Sequence, residues 1–207
     1  MNIKKLKAAE ENFLGRYPGG FGDPEIEAIA KKHKMEKMTE LTREYFAKKN
    51  FEDPYLIVEN FAKMITKSSM VSVFEKVKFR NAFPDFDPGD RVVLAQGLKD
   101  LFHGNQKKGF GNVVSVLQKY DLAKWPVVTS VLTYFEPEKE VFIKPTTAKG
   151  VIEYFEIEGI KYSPKPTWEF YEKYRTVINE MKKLTGGKIT GNNAGFCGFL
   201  MMSLNFA

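Results

Sequence analysis

The sequence predicts an all-α protein, a single domain over residues 1–207 built from about nine helices. Three helix-start signals carry this prediction, since aspartate is followed by proline at Asp23, Asp53 and Asp87. Aspartate caps the free N–H groups of a helix, and proline is tolerated in the first turn because its missing N–H would be unpaired there. Apolar residues after these signals recur at the spacing of one helix face, which indicates buried stripes.

Little of the chain favours strand. The run Val141–Ile143 is β-branched and aromatic, so at most one short β-hairpin is expected near residues 140–144. A helix that begins at Trp125 precedes this run, and a helix capped by Thr146 or Thr147 follows it. The most apolar part of the chain is therefore predicted to be a helical hairpin with an extended elbow.

The same signals place the remaining helices. Before the central hairpin, helices are predicted over about residues 2–14, 23–49, 53–65, 70–83, 87–103 and 113–120. After it, Thr167 caps an amphipathic helix, and a last apolar helix runs from about Gly195 to Asn205. Gly109 and Gly111 suggest a hinge-like break, so a subdivision of the domain near residues 104–111 is a second interpretation.

Composition restricts the class of protein. The chain has 43% hydrophobic residues, including 18 Phe, which suits a core packed around aromatic rings. Its single cysteine, Cys197, excludes an intramolecular disulfide and favours a reducing compartment. The N-terminus lacks the apolar segment of a signal peptide, and the apolar run from Ala194 to Ala207 is too short to cross a bilayer. We therefore expect a cytoplasmic protein without a membrane partner, while the oligomeric state stays open.

Lysine provides the main functional signal. The net charge is +6 and the pI about 9.1, which permits a partner that carries phosphate. In the densest basic run, Lys31, Lys34 and Lys37 would share one helix face. The first hypothesis is a non-enzymatic module that binds nucleic acid or another polyanion, and the alternative explanation of the run is an ordinary solvated face. The candidate contacts are Lys31, Lys32, Lys34, Lys37, Lys107, Lys108, Lys119, Lys124 and Lys188.

Two other functions are alternatives. Glu136, Glu138 and Glu140 alternate with other residues, and in an extended segment this spacing places all three carboxylates on one side. Together with Lys144 they suggest a metal-dependent enzyme that acts on nucleic acid, because close carboxylates bind Mg²⁺ or act as acid and base. The other alternative is a protein–protein interaction module, in which part of the Phe inventory forms an exposed docking patch.

Three segments approach known motifs without matching them. Residues 184–193 contain glycines and Lys188 but have Ile189 where a phosphate-binding loop needs Ser or Thr. Residues 85–90 resemble a calcium loop, but Gln96 occupies the position of its glutamate. Residues 113–135 have helix-turn-helix proportions, yet the second helix begins with apolar residues where base recognition needs polar ones. The leading hypothesis thus involves no cofactor, and no catalytic or metal-binding residue is assigned.

Overall fold

Helices begin at the three aspartate–proline signals in the structure, a computed structural model that describes residues 1–204. The predicted cap at Thr146 or Thr147 is wrong, because that helix begins at Pro145, directly after Lys144, without a side-chain cap. The described residues form α-helices joined by turns and short 3₁₀ segments, and they contain no strand. The helices are α1 (Ile3–Arg16), α2 (Pro24–His33), α3 (Met35–Tyr45), α4 (Pro54–Lys67), α5 (Val73–Ala82), α6 (Pro88–His103), α7 (Gln106–Lys119), α8 (Trp125–Phe135), α9 (Pro145–Tyr154), α10 (Trp168–Leu184) and α11 (Asn193–Ser203). The all-α prediction is confirmed, and the end of the last predicted helix at Asn205 lies outside the described residues.

The three predicted aspartate caps are formed. The Asp23 carboxylate accepts a hydrogen bond from the Glu25 N–H at 3.1 Å, at the start of α2. Asp53 caps α4 and Asp87 caps α6 in the same way, each with proline as the first helical residue. Such a cap is worth about 1 kcal/mol. These helix starts therefore follow from local chemistry alone.

Helix α8 lies at the centre of the fold. Every residue from Trp125 to Tyr134 is buried, and α3, α4 and α6 pack around the helix. One cluster of buried apolar side chains extends from Leu6 in α1 to Leu200 in α11, so the described residues form a single domain. Within the same residues, none of the helices is both long and apolar enough to cross a membrane.

Residues 140–143, in the segment between α8 and α9, lie against the core without strand partners in the described part of the chain. The Val141 N–H donates to the Tyr171 hydroxyl at 3.3 Å, and the Ile143 N–H donates to Thr129 Oγ1 at 3.1 Å. The side chains of Val141 and Ile143 are fully buried. Side-chain acceptors thus replace the backbone ladder that a β-hairpin would provide.

The predicted helix from Asp23 to Lys49 is wrong, because the structure divides it at Lys34. Lys34 has φ 48° and ψ 42°, a left-handed conformation that ends α2 and begins α3. Helix α3 buries Met38 and Thr42, whereas no residue of α2 is buried. The two halves therefore do not share one buried face, and the chain changes direction between them.

Gly109 and Gly111 lie inside α7, so the predicted hinge-like break is not formed. A Cβ on Gly109 would lie 2.6 Å from the Gly97 carbonyl oxygen in α6, far inside contact distance. A Cβ on Gly111 would meet nothing within 4 Å. Gly109 thus permits the close backbone approach of α6 and α7, and Gly111 has no such role.

Candidate ligand-binding cavity

A cavity of about 860 Å³ lies between α2 and α11. Its lining also includes residues of α1, α3, α9 and α10 and of the loops near residues 21, 69, 142 and 191. Most of the lining is apolar: Phe13, Phe21, Ile26, Ile29, Ala30, Met35, Met70, Phe142, Phe199, Met201 and Met202. Ligand sites in proteins typically have volumes of about 300–1,000 Å³ and a mainly apolar lining. The cavity therefore has the size and surface of a ligand site.

Helix α2 forms one wall of the cavity without belonging to the packed core. Ile26, Ile29 and Ala30 line the cavity, yet no residue of the helix is buried and Ile29 stays 45% exposed. The helix is fixed at its ends, since Asp23 caps its first turn and His33 Nδ1 lies 2.9 Å from Ser69 Oγ. A molecule in the cavity would cover apolar surface that the chain itself leaves uncovered.

Helix α11 forms another wall, and a glycine shapes it. Gly198 and Met201 lie three residues apart on the lining face of this helix. Apart from its two chain neighbours and the backbone of α11, no atom lies within 4 Å of the position that a Cβ of Gly198 would occupy, so the missing side chain contributes open volume. Met35, Met70, Met201 and Met202 also line the cavity. Methionine is flexible and unbranched, and such walls adapt to ligands of different shape.

The buried part of the lining contains a thiol and a phenol, Cys197 and Tyr174. Burial raises the pKa of the Cys197 thiol to about 12. Burial, with a smaller contribution from Cys197, raises the pKa of the Tyr174 phenol well above its usual value. Both groups therefore stay protonated and neutral near pH 7, and the inner surface carries no charge that would oppose an apolar ligand.

Charged residues gather at the exposed edge of the lining, which we call the mouth: Lys31, Lys34, Lys37 and Lys144, with Glu27 and Glu36. Lys31 Nζ lies 3.8 Å from the Glu27 carboxylate, and Lys144 Nζ lies 3.6 Å from Met201 Sδ. Within residues 1–204, Lys34 and Lys37 have neither a hydrogen-bond partner nor an ion-pair partner for their side chains. The mouth therefore carries an excess of positive charge, part of it without a carboxylate partner.

The structure brings three of the nine predicted anion-binding lysines together at this mouth and leaves the others elsewhere. Lys32 is exposed on α2 but does not line the cavity. Four lysines form ion pairs with nearby carboxylates: Lys107 with Glu169 at 3.9 Å, Lys108 with Asp100 at 3.8 Å, Lys119 with Asp90 at 2.5 Å and Lys124 with Asp121 at 3.0 Å. Lys188 Nζ donates to the Pro18 carbonyl at 3.0 Å. These lysines form no single surface with Lys31, Lys34 and Lys37 along the cavity.

The three alternating glutamates do not lie on one side of an extended segment. Residues 136–139 form a turn, in which the Glu140 N–H donates to the Glu136 carbonyl at 2.8 Å. The Glu138 side chain is 75% exposed, whereas that of Glu140 is 1% exposed. Nowhere in residues 1–204 do three His, Cys, Asp or Glu side chains form a group that could hold a metal ion. The spacing argument for a metal-dependent enzyme is therefore wrong in its geometry, and Lys144 lies at the cavity mouth instead.

The cavity could not be predicted from the sequence, because apolar residues in both of its walls are also typical of a packed core. Ile26 and Ile29 fall within the single helix predicted over residues 23–49, and the apolar residues of α11 favour a helix packed in the core. One available signal was Gly198 among the bulky apolar residues 196–202, and another was the polar stretch around Lys34. Neither signal reveals that α2 and α11, at opposite ends of the chain, face each other.

Comparison with known proteins gives no match: no family model, no curated protein and no solved structure matches this chain. The fold and the site themselves define the class, an all-α domain with a ligand-sized apolar cavity and a lysine-rich mouth.

Proposed function

We propose that this protein binds a small molecule with a long apolar part and takes it up in the cavity between α2 and α11. The observation that carries the proposal is the apolar volume of about 860 Å³. Buried apolar surface is the main source of affinity at such sites. The uncovered apolar face of α2 supports the same function, because a bound chain would complete its packing.

Chain length provides the first quantitative expectation. Each CH₂ group moved from water into an apolar site contributes about 0.8 kcal/mol, which is roughly fourfold in Kd. Affinity for straight-chain alcohols should therefore rise by up to about fourfold per carbon until the cavity is filled. A groove that contacts only the end of a chain would give no such increase.

The experiment is displacement of Nile red, a neutral apolar dye, by alkanols of increasing length. A Gly198→Leu variant places a side chain in the open volume of the cavity, and we expect it to weaken alkanol binding at least about tenfold, as about 1.4 kcal/mol of lost contact would. Leucine is also a better helix former than glycine by about 0.8 kcal/mol. The variant should therefore be folded and at least as stable as the parent protein.

Gly111→Leu is the matched control. Gly111 also lies inside a helix with nothing within 4 Å of its Cβ position, but it does not line the cavity. We expect this variant to bind alkanols as the parent does. Equal binding by the parent and Gly198→Leu, or no displacement of the dye by any alkanol from a folded protein, would contradict the proposal.

A further inference from the structure

We infer that the ligand of this cavity carries an anionic head group, a carboxylate or a phosphate, which Lys34, Lys37 and Lys144 hold at the mouth while the apolar chain lies inside. This inference rests on the proposed function and adds the chemical class of the ligand: an alkyl or acyl chain with one acidic end.

The lining of the cavity carries more positive than negative side chains, which favours an anionic head group. Four of its side chains are lysines and two are glutamates, Glu27 and Glu36. Glu27 already has Lys31 as an ion-pair partner at 3.8 Å. Lys34, Lys37 and Lys144 have no carboxylate within ion-pair distance in residues 1–204, and four lysines against two glutamates leave the lining with a net charge of +2 that an anion would meet. A cationic head group would meet repulsion from the same three side chains.

The lysine side chain, with an apolar stem and a charged end, suits the edge of an apolar cavity. A lysine packs its alkyl stem against apolar surface and keeps its ammonium group in water. Lys144 shows this arrangement, with its Nζ 3.6 Å from Met201 Sδ at the edge of the apolar lining. Lysines at the boundary between an apolar cavity and solvent therefore suit a ligand with an apolar chain and a charged end.

The left-handed backbone conformation of Lys34 also contributes to the position of the lysines at the mouth. A left-handed conformation is uncommon for residues other than glycine and asparagine, and Lys34 adopts it with φ 48°. This conformation places the α2–α3 junction at the cavity, so that Lys31, Lys34 and Lys37 all line it although the helix is interrupted. Asp121 and Glu156 adopt the same conformation away from the cavity, so the conformation supports the inference only through the position it gives the three lysines.

Four ligands with one dodecyl chain and different head groups test the inference: dodecanoate, dodecyl phosphate, dodecanol and dodecyltrimethylammonium, each below the concentration at which it forms micelles. We expect the two anions to bind at least about tenfold more tightly than dodecanol, because several exposed ion pairs of a few-fold each act together. The cation should bind most weakly. Added salt should reduce the advantage of the anions and leave dodecanol binding almost unchanged.

The double variant Lys34→Gln, Lys37→Gln should bring anion binding close to that of dodecanol and leave the affinity for dodecanol itself unchanged. The matched control is Lys48→Gln, Lys49→Gln, which removes the same charge from exposed positions that do not line the cavity. We expect the control to keep most of the preference for anions. The ratio of dodecanoate to dodecyl phosphate affinity distinguishes a carboxylate from a phosphate ligand.

Different outcomes of this experiment would overturn the inference about the head group and the proposed function of the cavity. Dodecanol binding as tightly as dodecanoate, or equal losses for both in the double variant, would overturn the inference and leave the proposed function in place. Tightest binding of dodecyltrimethylammonium would also overturn it, since Glu27 and Glu36 would then dominate the mouth. Failure of all four ligands to bind the folded protein would overturn the proposed function itself.

Discussion

Glu140 has the least exposed carboxylate in residues 1–204, and its partners show how a buried charge is tolerated. Arg175 donates to both of its oxygens at 2.7 and 2.8 Å, the Tyr171 hydroxyl donates at 2.6 Å and the Gln106 amide at 3.1 Å. Burial, followed by the charge of Glu140, raises the pKa of Tyr171 well above its usual value, so its hydroxyl stays a donor near pH 7. The network joins the turn after α8 to α7 and α10.

We predict that Arg175→Met lowers the free energy of unfolding by about 3 kcal/mol, because it leaves a buried carboxylate without its main cationic partner. The effect should lie at the low end of the range for buried ion pairs, since Lys139 Nζ remains 3.7 Å from Glu140. Urea denaturation measures the change. Lys107→Met is the control, because it removes a lysine from an exposed pair with Glu169 and should change stability by less than about 0.5 kcal/mol.

A second substitution tests whether Arg175 stabilises the protein through its charge or through its packing. Adding Glu140→Gln to Arg175→Met removes the uncompensated charge, so part of the lost stability should return. Equal effects of Arg175→Met and Lys107→Met would show that the buried pair contributes no more than an exposed one. Absence of any recovery in the double variant would show that Arg175 acts through its packing on Trp168 and Tyr171 rather than through charge.

The alternation of Glu136, Glu138 and Glu140 is visible in the sequence, but their different environments are not. Glu140 is buried because Arg175 and Tyr171, on a helix that begins many residues later, supply its hydrogen bonds. Spacing along the chain carries no information about such partners.

Among the helices, the close contact of α6 with α7 predicts that alanine substitutions at two glycines of α7 change the stability of the protein in opposite directions. Gly109→Ala should destabilise the protein by about 1–3 kcal/mol, because the new Cβ would lie 2.6 Å from the Gly97 carbonyl oxygen and would force the helices apart. Gly111→Ala should stabilise it by up to about 1 kcal/mol, because alanine favours the helix and meets open space. Thermal or urea unfolding of the two variants measures both. Stabilisation by both substitutions would show that α6 and α7 are not in close backbone contact.

Helix starts were predictable and helix contacts were not. Asp23, Asp53 and Asp87 cap helices through atoms two or three residues away, so the sequence contains the whole cause. The break at Lys34 and the role of Gly109 depend on neighbours that are distant in sequence, such as Ser69 beside His33 and Gly97 beside Gly109. From its neighbours in sequence alone, Gly109 is therefore predicted to be a hinge, although in the structure it permits close packing of two helices.

For the whole molecule, the basic charge was predictable and its arrangement was not. The sequence shows a net charge of +6 and a lysine run with Lys31, Lys34 and Lys37 on one side. The structure places these three at the mouth of a cavity that exists because α2 lies across from α11. Ion pairs occupy most of the other predicted lysines, which a count of charges cannot reveal.

The polyanion hypothesis stays a prediction. The arrangement of charge predicts how steeply such binding should weaken with salt. Binding to duplex DNA weakens by about 0.9 log units per log unit of salt for each phosphate neutralised, so nine lysines in contact would give a slope of about 8. Of the nine lysines predicted to bind an anion, four have no carboxylate partner within residues 1–204: Lys32, Lys34, Lys37 and Lys188. We therefore expect weak binding with a slope of at most about 3.6, measured by fluorescence anisotropy of a labelled duplex.

Charge reversal at two sets of lysines decides which surface a polyanion contacts. The variant Lys31→Glu, Lys34→Glu, Lys37→Glu should abolish duplex binding, whereas Lys107→Glu, Lys108→Glu, Lys124→Glu changes the net charge equally and should reduce it far less, because those lysines are already paired. Because Lys34 and Lys37 also line the cavity mouth, dodecanoate should compete with the duplex. A slope near 8, or equal losses in both variants, would show that the paired lysines bind as well. No binding at low salt would exclude the polyanion hypothesis.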